Sequence, residues 1–533
     1  MNRTIHIFLL CFLSLSLQAQ EVERVYVSTD KNAYLSGERV WCSLFCVNQE
    51  GKTAPGSAIA YMELISNEGT ALEIKAGLYN GRGAASFLLP AQLPGGAYRL
   101  IAYTPTGSIS QTGSRLLSIY NPFTTARVKD GVTTEGTAAS QEIPLQKDEN
   151  LSLQVPRVIR TGQSGVLLLE STRPLNISLS IFHEDGLQQF PAASIVPFAT
   201  AHEELHAGKP AREGERIKGK VFGAKEDDIT ILSSSGSTSD IYTGTVAADG
   251  SICFETSNIY GHRELVYEVM DGNDNSFIQL ESPFLHPSAG VLPTLTLSQN
   301  LFSDLVTRKD HLRAQVKADT LYQFLPHRED PLFAGSDWDI FHLDDYTRFP
   351  SVREILIEIV TVVRLVNSNG KPALQIVISD GINHSKRFMD PVLVMMDGVV
   401  ITDINLLLNF DAMLLDRVEV FRHPFVIGKT PFYGAVNFVS QKNYVTALAF
   451  PRRVRVMDFN GVEYPVACTQ SPAIKEGEKD LRELLYWHPI LQVDKSLRIP
   501  FTAPSYPGRF KVVAEGMDEA GKPVRCVESF EVR

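Results

Sequence analysis

The order of apolar and polar residues along the chain predicts many short β-strands. In residues 24–122, apolar residues alternate with polar ones in short runs, and turn residues such as Ser36-Gly37 and Gly95-Gly96 separate these runs. Short strands with regular glycine and proline punctuation are typical of a β-sandwich. We therefore expect a mainly β protein, a string of immunoglobulin-like sandwiches, with modules at residues 24–122, 150–200, 215–290 and 446–533.

One region, residues 346–445, combines helical and strand periodicity and is expected to form a small α/β domain. Ser351 and Glu354 form a capping box, and apolar residues then recur at helical spacing as far as Val363. This spacing predicts a helix over residues 351–366 that packs on strands at Leu374–Ile378 and Val392–Met396. Further strands are predicted at Arg417–Phe421 and Ala435–Val439, with a turn at Asp397-Gly398 and a glycine-marked loop over residues 428–434.

Three stretches lack strand periodicity and are interpreted as connections between modules: residues 123–149, 201–214 and 291–345. The last of them carries an acidic and aromatic patch, which we expect to anchor Trp338 against the next domain. A cation or sugar site at this patch is the alternative interpretation. The patch consists of Asp337, Trp338, Asp339, Asp344, Asp345 and Tyr346.

Residues 1–20 are typical of a secretory signal peptide. Arg3 supplies a positive charge, an apolar segment runs from Ile7 to Leu17, and Ala19 offers a small residue for cleavage. The mature chain should begin near Gln20 or Glu21. No later segment has the roughly eighteen consecutive apolar residues of a membrane-spanning helix, so we expect none. The predicted location is the periplasm, the outer membrane or the cell surface.

Charge and cysteine content narrow the classes of partner. The net charge is −11 and the isoelectric point is near 5.6, which argues against nucleic acid as the main partner. The cysteines after the predicted signal peptide are odd in number and sparse, unlike a disulfide framework. Cys42 and Cys46 lie too far apart along one strand to bridge, so we expect them in a core. Whether Cys468 and Cys526 form a disulfide is left undecided by the sequence.

The segment His202-Glu203-Glu204-Leu205-His206 has the spacing of a zinc-peptidase motif. On a helix, His202 and His206 would share a face and bind zinc, with Glu203 as the general base. However, Gly208-Lys209-Pro210 would end such a helix within one turn. We therefore predict a surface linker, with no metal and no cofactor, and keep a zinc-dependent hydrolase as an alternative function.

The segments Thr29–Trp41, YMELI, Leu93–Thr104 and SIYNPF resemble the second macroglobulin domain of α2-macroglobulin-like bacterial proteins. That resemblance implies a macroglobulin-like sandwich and suggests a protease trap. Such traps use a thioester between a cysteine and a glutamine in a Cys-Gly-Glu-Gln type motif, and Cys468-Thr469-Gln470 has the wrong spacing for one. A structural or adhesive sandwich is therefore favoured, and a thioester-less protease-binding protein is a further alternative.

Two later regions carry other resemblances. The opening strand Gly219-Lys220-Val221 and the turn Asp249-Gly250 resemble carboxypeptidase regulatory-like domains, which implies a small non-catalytic sandwich over residues 215–290. The segments FPSVRE, DPVLVMMDGVVITD, LLDRVEVFRH and PFYGAVNFVS resemble the plug domain of TonB-dependent outer-membrane receptors. In that family the plug fills a barrel of about twenty-two strands.

A barrel is not expected here, because about ninety residues follow Val445 and a barrel of that size needs several hundred. The order of modules resembles exported multidomain proteins of Gram-negative envelopes. We therefore predict a non-catalytic envelope protein with a binding or scaffold role, whose partner is an unknown envelope protein or transport component. The predicted contact lies in the plug-like loop, at Gly428, Lys429, Phe432, Tyr433 and Gly434.

Overall fold

A computed structural model of the chain describes residues 21–533 apart from short internal segments. The segments outside the description are 124–131, 134–139, 237–239, 271–274, 298–307, 328–331, 334–336, 369, 380–385, 429, 446–447 and 471–476. The predicted signal peptide also lies outside the described residues. Strands account for 49% of the chain and helices for 8%, which confirms the mainly β class.

The described chain forms two compact units, and each is assembled from separate stretches of sequence. Unit 1 contains the described residues up to Arg212 together with Phe284–His327 and Val462–Arg533. Unit 2 contains Glu213–Pro283 and Arg328–Gly461. Neither unit is therefore a continuous segment of the chain.

The first sandwich of unit 1 is one eight-stranded sheet folded over a single core. Its strands are β1 (Glu23–Thr29), β2 (Ala33–Leu35), β3 (Arg39–Asn48), β4 (Ile59–Ser66), β5 (Gly69–Tyr79), β6 (Arg82–Leu88), β7 (Gly96–Tyr103) and β8 (Arg115–Tyr120). Their order is β1-β3-β6-β5-β4-β7-β8-β2, and β5 passes from one layer to the other because it pairs with both β4 and β6. Val25 and Met62, from different layers, share the core with Cys42 and Cys46, which are free thiols as predicted.

A second sandwich in unit 1 combines strands from two distant stretches. They are β10 (Leu151–Gln154), β11 (Val158–Ile159), β12 (Ser164–Ser171) and β13 (Leu175–His183), then β34 (Leu484–Val493), β35 (Ser496–Thr502), β36 (Gly508–Met517) and β37 (Pro523–Val532). One sheet has the order β10-β12-β35 and the other β11-β37-β36-β13-β34. Buried residues from both sheets form one core.

The structure thus differs from the predicted separate modules at residues 150–200 and 446–533. β13 lies between β34 and β36 and pairs with both, because a few strands alone cannot bury a sheet face. The sequence pattern shows where strands lie but not which distant strand completes the sheet. Cys468 and Cys526, which the prediction left open as a pair, are both free.

The remaining elements of unit 1 are short. They are β9 (Val132–Thr133) paired with β20 (Leu295–Thr296), β21 (Gln323–Phe324) paired with β33 (Val466–Ala467), and the helices α1 (Ile195–Thr200) and α2 (Lys309–Ala318). The predicted connector 291–345 therefore contains a helix, whose buried side includes Leu312 and Gln315. Residues 201–214, by contrast, contain no helix or strand.

A buried ion pair joins the two sandwiches of unit 1. The Arg115 guanidinium lies 2.9 Å from the Glu515 carboxylate, and both side chains are at most 4% exposed. The hydroxyls of Tyr26 and Ser28 donate to the same carboxylate oxygen at 3.0 and 2.6 Å. The second nitrogen of Arg115 donates to the Asn32 side chain at 2.7 Å. Each charge is thus paired and hydrogen-bonded, which is the condition for burying it.

Unit 2 begins with a small sandwich. Its strands are β14 (Arg216–Phe222), β15 (Ile229–Ser234), β16 (Ile241–Thr245), β17 (Ser251–Glu255), β18 (His262–Val269), β19 (Phe277–Leu280) and the distant β32 (Arg455–Asn460). One sheet has the order β17-β14-β19 and the other β16-β15-β18-β32. The predicted sandwich over residues 215–290 is therefore completed by a strand that lies beyond the predicted α/β domain.

The rest of unit 2 is an α/β globule. Its elements are β22 (Asp339–His342), α3 (Val352–Glu358), β23 (Val363–Ser368), β24 (Lys371–Ser379), β25 (Lys386–Met389), β26 (Leu393–Met396), β27 (Val399–Val400), α4 (Ile404–Leu408), β28 (Leu415–Phe421), β29 (Phe425–Ile427), β30 (Thr430–Phe432) and β31 (Ala435–Ser440), with single 3-10 turns at Leu343–Asp345 and Ala412–Leu414. The main sheet has the order β22-β28-β31-β26-β27, in which β26 and β31 are parallel and the other pairs antiparallel. Its strands β26, β28 and β31 lie where the sequence predicts them, whereas β22 lies in the predicted connector and β27 has no counterpart in the prediction.

The helix of the globule is shorter than the sequence predicts. Ser351 and Glu354 form the expected capping box, with the Ser351 hydroxyl accepting the Glu354 N–H. The helix ends at Glu358, and β23 occupies residues 363–368. A run of β-branched residues, Ile359 to Val363, follows the helix and favours extended structure. Val360 and Val363 still enter the globule core.

The turn Asp397-Gly398 holds the globule together as well as reversing the chain. Both residues have positive φ, 49° and 83°, as a two-residue hairpin turn requires. The buried Asp397 carboxylate accepts hydrogen bonds from the N–H and hydroxyl of Ser440, both at 2.7 Å, and from the Val445 N–H at 3.2 Å. The turn after β26 therefore fixes the end of β31.

Within unit 2, the sandwich and the globule share a core. Ile231 and Ile241 of the sandwich pack with Met395 and Phe432 of the globule in one buried cluster. The Val400 N–H also donates to the Ser233 hydroxyl at 3.2 Å. The globule therefore packs directly against the sandwich rather than being connected to it only through the chain.

We predict that Glu515→Gln destabilises the protein by about 3–5 kcal/mol, because the buried guanidiniums of Arg115 and Arg525 then lack a counter-charge. The matched control is Glu531→Gln, which removes an exposed pair with Arg533 and should cost less than about 1 kcal/mol. Urea unfolding followed by circular dichroism measures both. Equal midpoints for the two variants would contradict the role assigned to the buried pair.

Candidate functional site

The histidine pair of the predicted zinc motif does not lie on a helix. Helix α1 ends at Thr200, and its C-cap Ala201 is extended, with φ −70° and ψ 138°. Residues 202–206 follow without helical turns, and both His202 and His206 are exposed. The i, i+4 spacing therefore does not place the two imidazoles on one face. Within the described residues, no group of three or more metal-ligating side chains comes together.

Glu203, the general base of the alternative hydrolase, is held by the first sandwich instead. Its carboxylate accepts the Thr112 N–H at 2.9 Å and the Thr112 hydroxyl at 2.8 Å. Burial acts to raise the pKa of Glu203, but these hydrogen bonds keep the pKa below its usual value. The Ser108 hydroxyl likewise donates to the His206 carbonyl at 2.6 Å. The segment is thus arranged as a strap along the sandwich.

The predicted contact loop is a β-hairpin with a buried inner side. β29 and β30 pair, and Phe432 is 7% exposed within the core that the globule shares with the sandwich. A Cβ at Gly428 would collide with the Thr243 hydroxyl, and a Cβ at Gly434, whose φ is +130°, would collide with the Phe421 carbonyl oxygen. Lys429 lies outside the described residues. Phe432 and Gly434 are therefore part of the interior of unit 2, whereas Gly428 is exposed.

The outer side of the same hairpin is exposed. Val426 and Pro431 are cross-strand neighbours, and both face outward, Val426 with 58% of its surface exposed. Tyr433 is half-buried, and its N–H donates to the Pro391 carbonyl at 2.9 Å. Of the predicted contact residues that the structure describes, Tyr433 has the most exposed side chain.

The acidic and aromatic patch forms a second and more open surface. Asp339–His342 is strand β22, which stands at the end of the main sheet and pairs only with β28 among the described strands. Ile340 is 51% exposed and Tyr346 46%. We call this region, Asp337 to Tyr346, the edge surface. It belongs to the stretch that the sequence predicts to be a connector, and it is instead the open end of a sheet.

An aromatic stack supports the edge surface from below. Trp338 packs edge-on against Phe333 with ring centroids 4.9 Å apart and lies 5.5 Å from Phe421. Phe421 in turn lies 5.8 Å from Phe425, which stacks on Phe432 at 5.6 Å. The expected anchoring of Trp338 is therefore present, and the predicted loop contributes to it through Phe432.

Unit 1 also contains a buried cluster of charges centred on Glu483. Its carboxylate lies 3.6 Å from the Lys31 ammonium and 3.8 Å from the Arg308 guanidinium, and these two cations also pair with Glu38 and Asp185. Burial acts to raise the pKa of Glu483, but Lys31 and Arg308 hold the pKa below its usual value. The adjacent void of about 20 Å³ has room for one water rather than a substrate.

Asp319, at the end of α2 in unit 1, is a buried carboxyl that titrates near neutral pH. Burial raises its pKa to about 7, although the Gln315 side-chain amide donates to it at 2.7 Å. Its ordinary pKa is 3.8. The folded protein therefore keeps a proton on Asp319 over a pH range in which the unfolded chain has lost it.

A shallow groove of about 240 Å³ lies on the first sandwich, between residues 66–71 and residues 93–98. Small-molecule sites usually have volumes of about 300–1,000 Å³ and are more enclosed. The groove is therefore smaller and more open than a typical small-molecule site.

Comparison with known proteins gives weak matches. No family profile and no curated protein matches the sequence. Among solved structures, the α-2-macroglobulin of Salmonella reacted with methylamine is 10% identical over 96% of this chain and 40% of that one, with a TM-score of 0.25. The native E. coli α-2-macroglobulin is 8% identical over 96% of this chain and 40% of that one, with a TM-score of 0.25. The E. coli adhesin FdeC is 12% identical over 52% of this chain and 65% of that one, with a TM-score of 0.16.

The chain spans about two fifths of the length of these macroglobulins. Likeness at such identities and TM-scores carries no argument about function. In the part of the chain that the structure describes, no helix has the length and apolar character needed to cross a bilayer.

We predict that stability falls as pH rises from about 4 to 7, because Asp319 is protonated in the folded state and ionised in the unfolded chain across this window. The contribution of this one group is at most about 1.4 kcal/mol per pH unit, and it is constant above pH 7. Asp319→Asn, which is neutral throughout, should therefore be more stable than wild type at pH 8 by more than about 1 kcal/mol, with the difference shrinking toward pH 5.

Asp310→Asn is the control, since it makes the same change at an exposed position of the same helix. Thermal unfolding at pH 5, 6, 7 and 8 measures all three proteins. If Asp319→Asn and wild type lose stability in parallel across this range, the buried carboxyl does not titrate as assigned.

Proposed function

We propose that this chain is a non-catalytic, exported cell-envelope protein that binds a polypeptide partner through the edge surface of unit 2. The observation that carries the proposal is the position of β22. It ends the main sheet and pairs with β28 alone among the described strands, and it carries the exposed side chain of Ile340, with the exposed Tyr346 after it.

An open strand is a binding device in its own right. The outward backbone N–H and C=O groups of an edge strand can accept a further strand from another chain, and alternate side chains then supply specificity. An exposed isoleucine on such an edge adds apolar contact area. A surface of this kind suits a scaffold or binding protein, whose task is contact rather than chemistry.

The rest of unit 2 supports this use of the edge. The aromatic stack from Phe432 through Phe421 to Trp338 connects the buried hairpin to the residue that immediately precedes β22. The guanidinium of Arg422 lies 2.7 Å from the Asp339 carboxylate and fixes the start of the strand. A rigid edge loses little conformational entropy when it binds. The plug-like segments would thus act as a braced contact module.

Export is supported by residues 1–20, with their positive charge, apolar segment and small residue near position 19. The resemblances to macroglobulin, regulatory-like and plug domains are also to modules of exported proteins. The proposed compartment is the periplasm or the outer-membrane surface.

We predict that the protein isolated from the envelope starts at Gln20 or Glu21. Intact-mass measurement of the purified protein checks this directly, and a variant with Leu9 and Leu10 both changed to Arg should stay in the cell interior at full length, because an interrupted apolar segment no longer acts as an export signal. A full-length chain in the envelope fraction would contradict the proposed cleavage.

We also predict that a photo-crosslinking amino acid at Ile340 gives a specific adduct in intact cells, because this side chain lies on the proposed contact. The control position is Val166, which is exposed on a strand of unit 1. Adducts are detected by mobility shift and identified by mass spectrometry. Adducts at Val166 with none at Ile340 would move the contact away from the edge surface.

A further inference from the structure

We infer the chemistry of the partner: the edge surface takes an extended, basic segment of another protein, which adds to the main sheet as a strand beside β22. This inference rests on the proposed function and specifies the ligand class of the same surface. Three features carry it, namely the unguarded backbone of β22, the charge around it, and the alternation of its side chains.

β22 lacks three of the devices that usually block an edge, although it is only four residues long and carries the charged Asp339. Natural edge strands are protected by lysines, prolines or bulges. β22 has the sequence Asp-Ile-Phe-His and pairs with β28 from Asp339↔Val420 to His342↔Arg417 without a register shift. It therefore contains no proline, lysine or bulge. An added strand would meet a regular row of backbone groups.

The charge around β22 is negative at both ends. Asp337 precedes the strand, and Asp344 and Asp345 follow it, all exposed. The Asp344 carboxylate pairs with the Arg348 guanidinium at 3.4 Å, whereas Asp337 and Asp345 make no ion pair within the described residues. Carboxylates that flank an open strand attract lysine and arginine side chains of an incoming segment.

The same charge argues against a second copy of this chain as the occupant. Antiparallel pairing of β22 with β22 would bring the carboxylates at one end close to those at the other end of the neighbouring copy. Like charges placed opposite each other on paired strands are destabilising. A basic partner turns this repulsion into attraction, and so the observations favour a different protein over self-association.

The side chains define the pattern of the partner. Ile340 and His342 are both exposed and lie two residues apart, so they share one face of the strand. An apolar residue of the incoming strand would pack on Ile340, and basic residues on either side of it would reach Asp337 and Asp345. The expected segment is therefore extended, with apolar and basic residues in alternation.

Synthetic peptides test this inference with the full chain. The probe is a fluorescein-labelled octapeptide of alternating lysine and valine, measured by fluorescence anisotropy. A second peptide is N-methylated at alternate residues, which keeps the charge but blocks strand pairing, and a third replaces lysine by glutamate. We expect the first peptide to bind and each of the others to bind at least about tenfold more weakly.

Two charge-matched variants localise the binding. The double variant Asp337→Lys, Asp345→Lys should lose at least about tenfold in affinity for the lysine peptide, because both flanking carboxylates become repulsive. The control, Glu226→Lys with Asp458→Lys, makes the same net charge change at exposed positions elsewhere in unit 2 and should bind as wild type does. Hydrogen exchange should slow at the N–H groups of β22 that face away from β28 only when the lysine peptide is bound.

Three results would overturn the inference. The N-methylated peptide could bind as tightly as its parent, the control variant could lose as much affinity as the Asp337, Asp345 variant, or sedimentation could show a dimer that Asp337→Lys, Asp345→Lys alters. The proposed function has a separate readout, because an adduct at Ile340 in cells would remain even if the partner were neither basic nor strand-forming. An absent adduct together with peptide binding would instead challenge the function and leave the chemistry of the edge intact.

Discussion

Both units depend on strands that come from distant parts of the sequence. β13 gains its neighbours from β34 and β36, and β18 gains its outer neighbour from β32. Closing a long loop costs only slightly more entropy than closing a short one, so such pairing is thermodynamically accessible. The consequence is that a continuous fragment that separates these stretches leaves a sheet incomplete. In unit 1 the second sandwich needs both residues 151–183 and residues 484–532, whereas the first is formed by the continuous stretch β1 to β8.

Buried charge adds selectivity to this pairing in unit 1. Apolar residues alone would let many strands pack on one another, whereas Arg115 is satisfied only where Glu515 lies beside it. Lys31, Arg308 and Glu483 impose a second requirement of the same kind. Buried ion pairs contribute little net stability because desolvation offsets their attraction. Their effect here is to penalise every arrangement in which one partner is missing.

Unit 2 shows how a rigid interior supports an open surface. The globule core and the core shared with the sandwich lie on opposite sides of the main sheet, so its middle strands are covered on both faces. Among the described strands, β22 and β27 end this sheet, and the Val400 N–H of β27 donates to the Ser233 hydroxyl of the sandwich. Trp338, next to β22, packs on Phe333 and Phe421 and so anchors this edge to the interior. The proposed binding of a partner takes place at the β22 end of this sheet.

The sequence by itself determined the local features of this protein. The capping box at Ser351, the turn at Asp397-Gly398 and the strands β26, β28 and β31 depend on residues within a few places of each other, and all are present. Only the tertiary structure decided that Phe432 is buried, that Glu203 binds Thr112 rather than lying on a helix, and that β22 is an edge. The physical reason is that exposure and pairing are set by neighbours that are distant in the sequence, which no local pattern encodes.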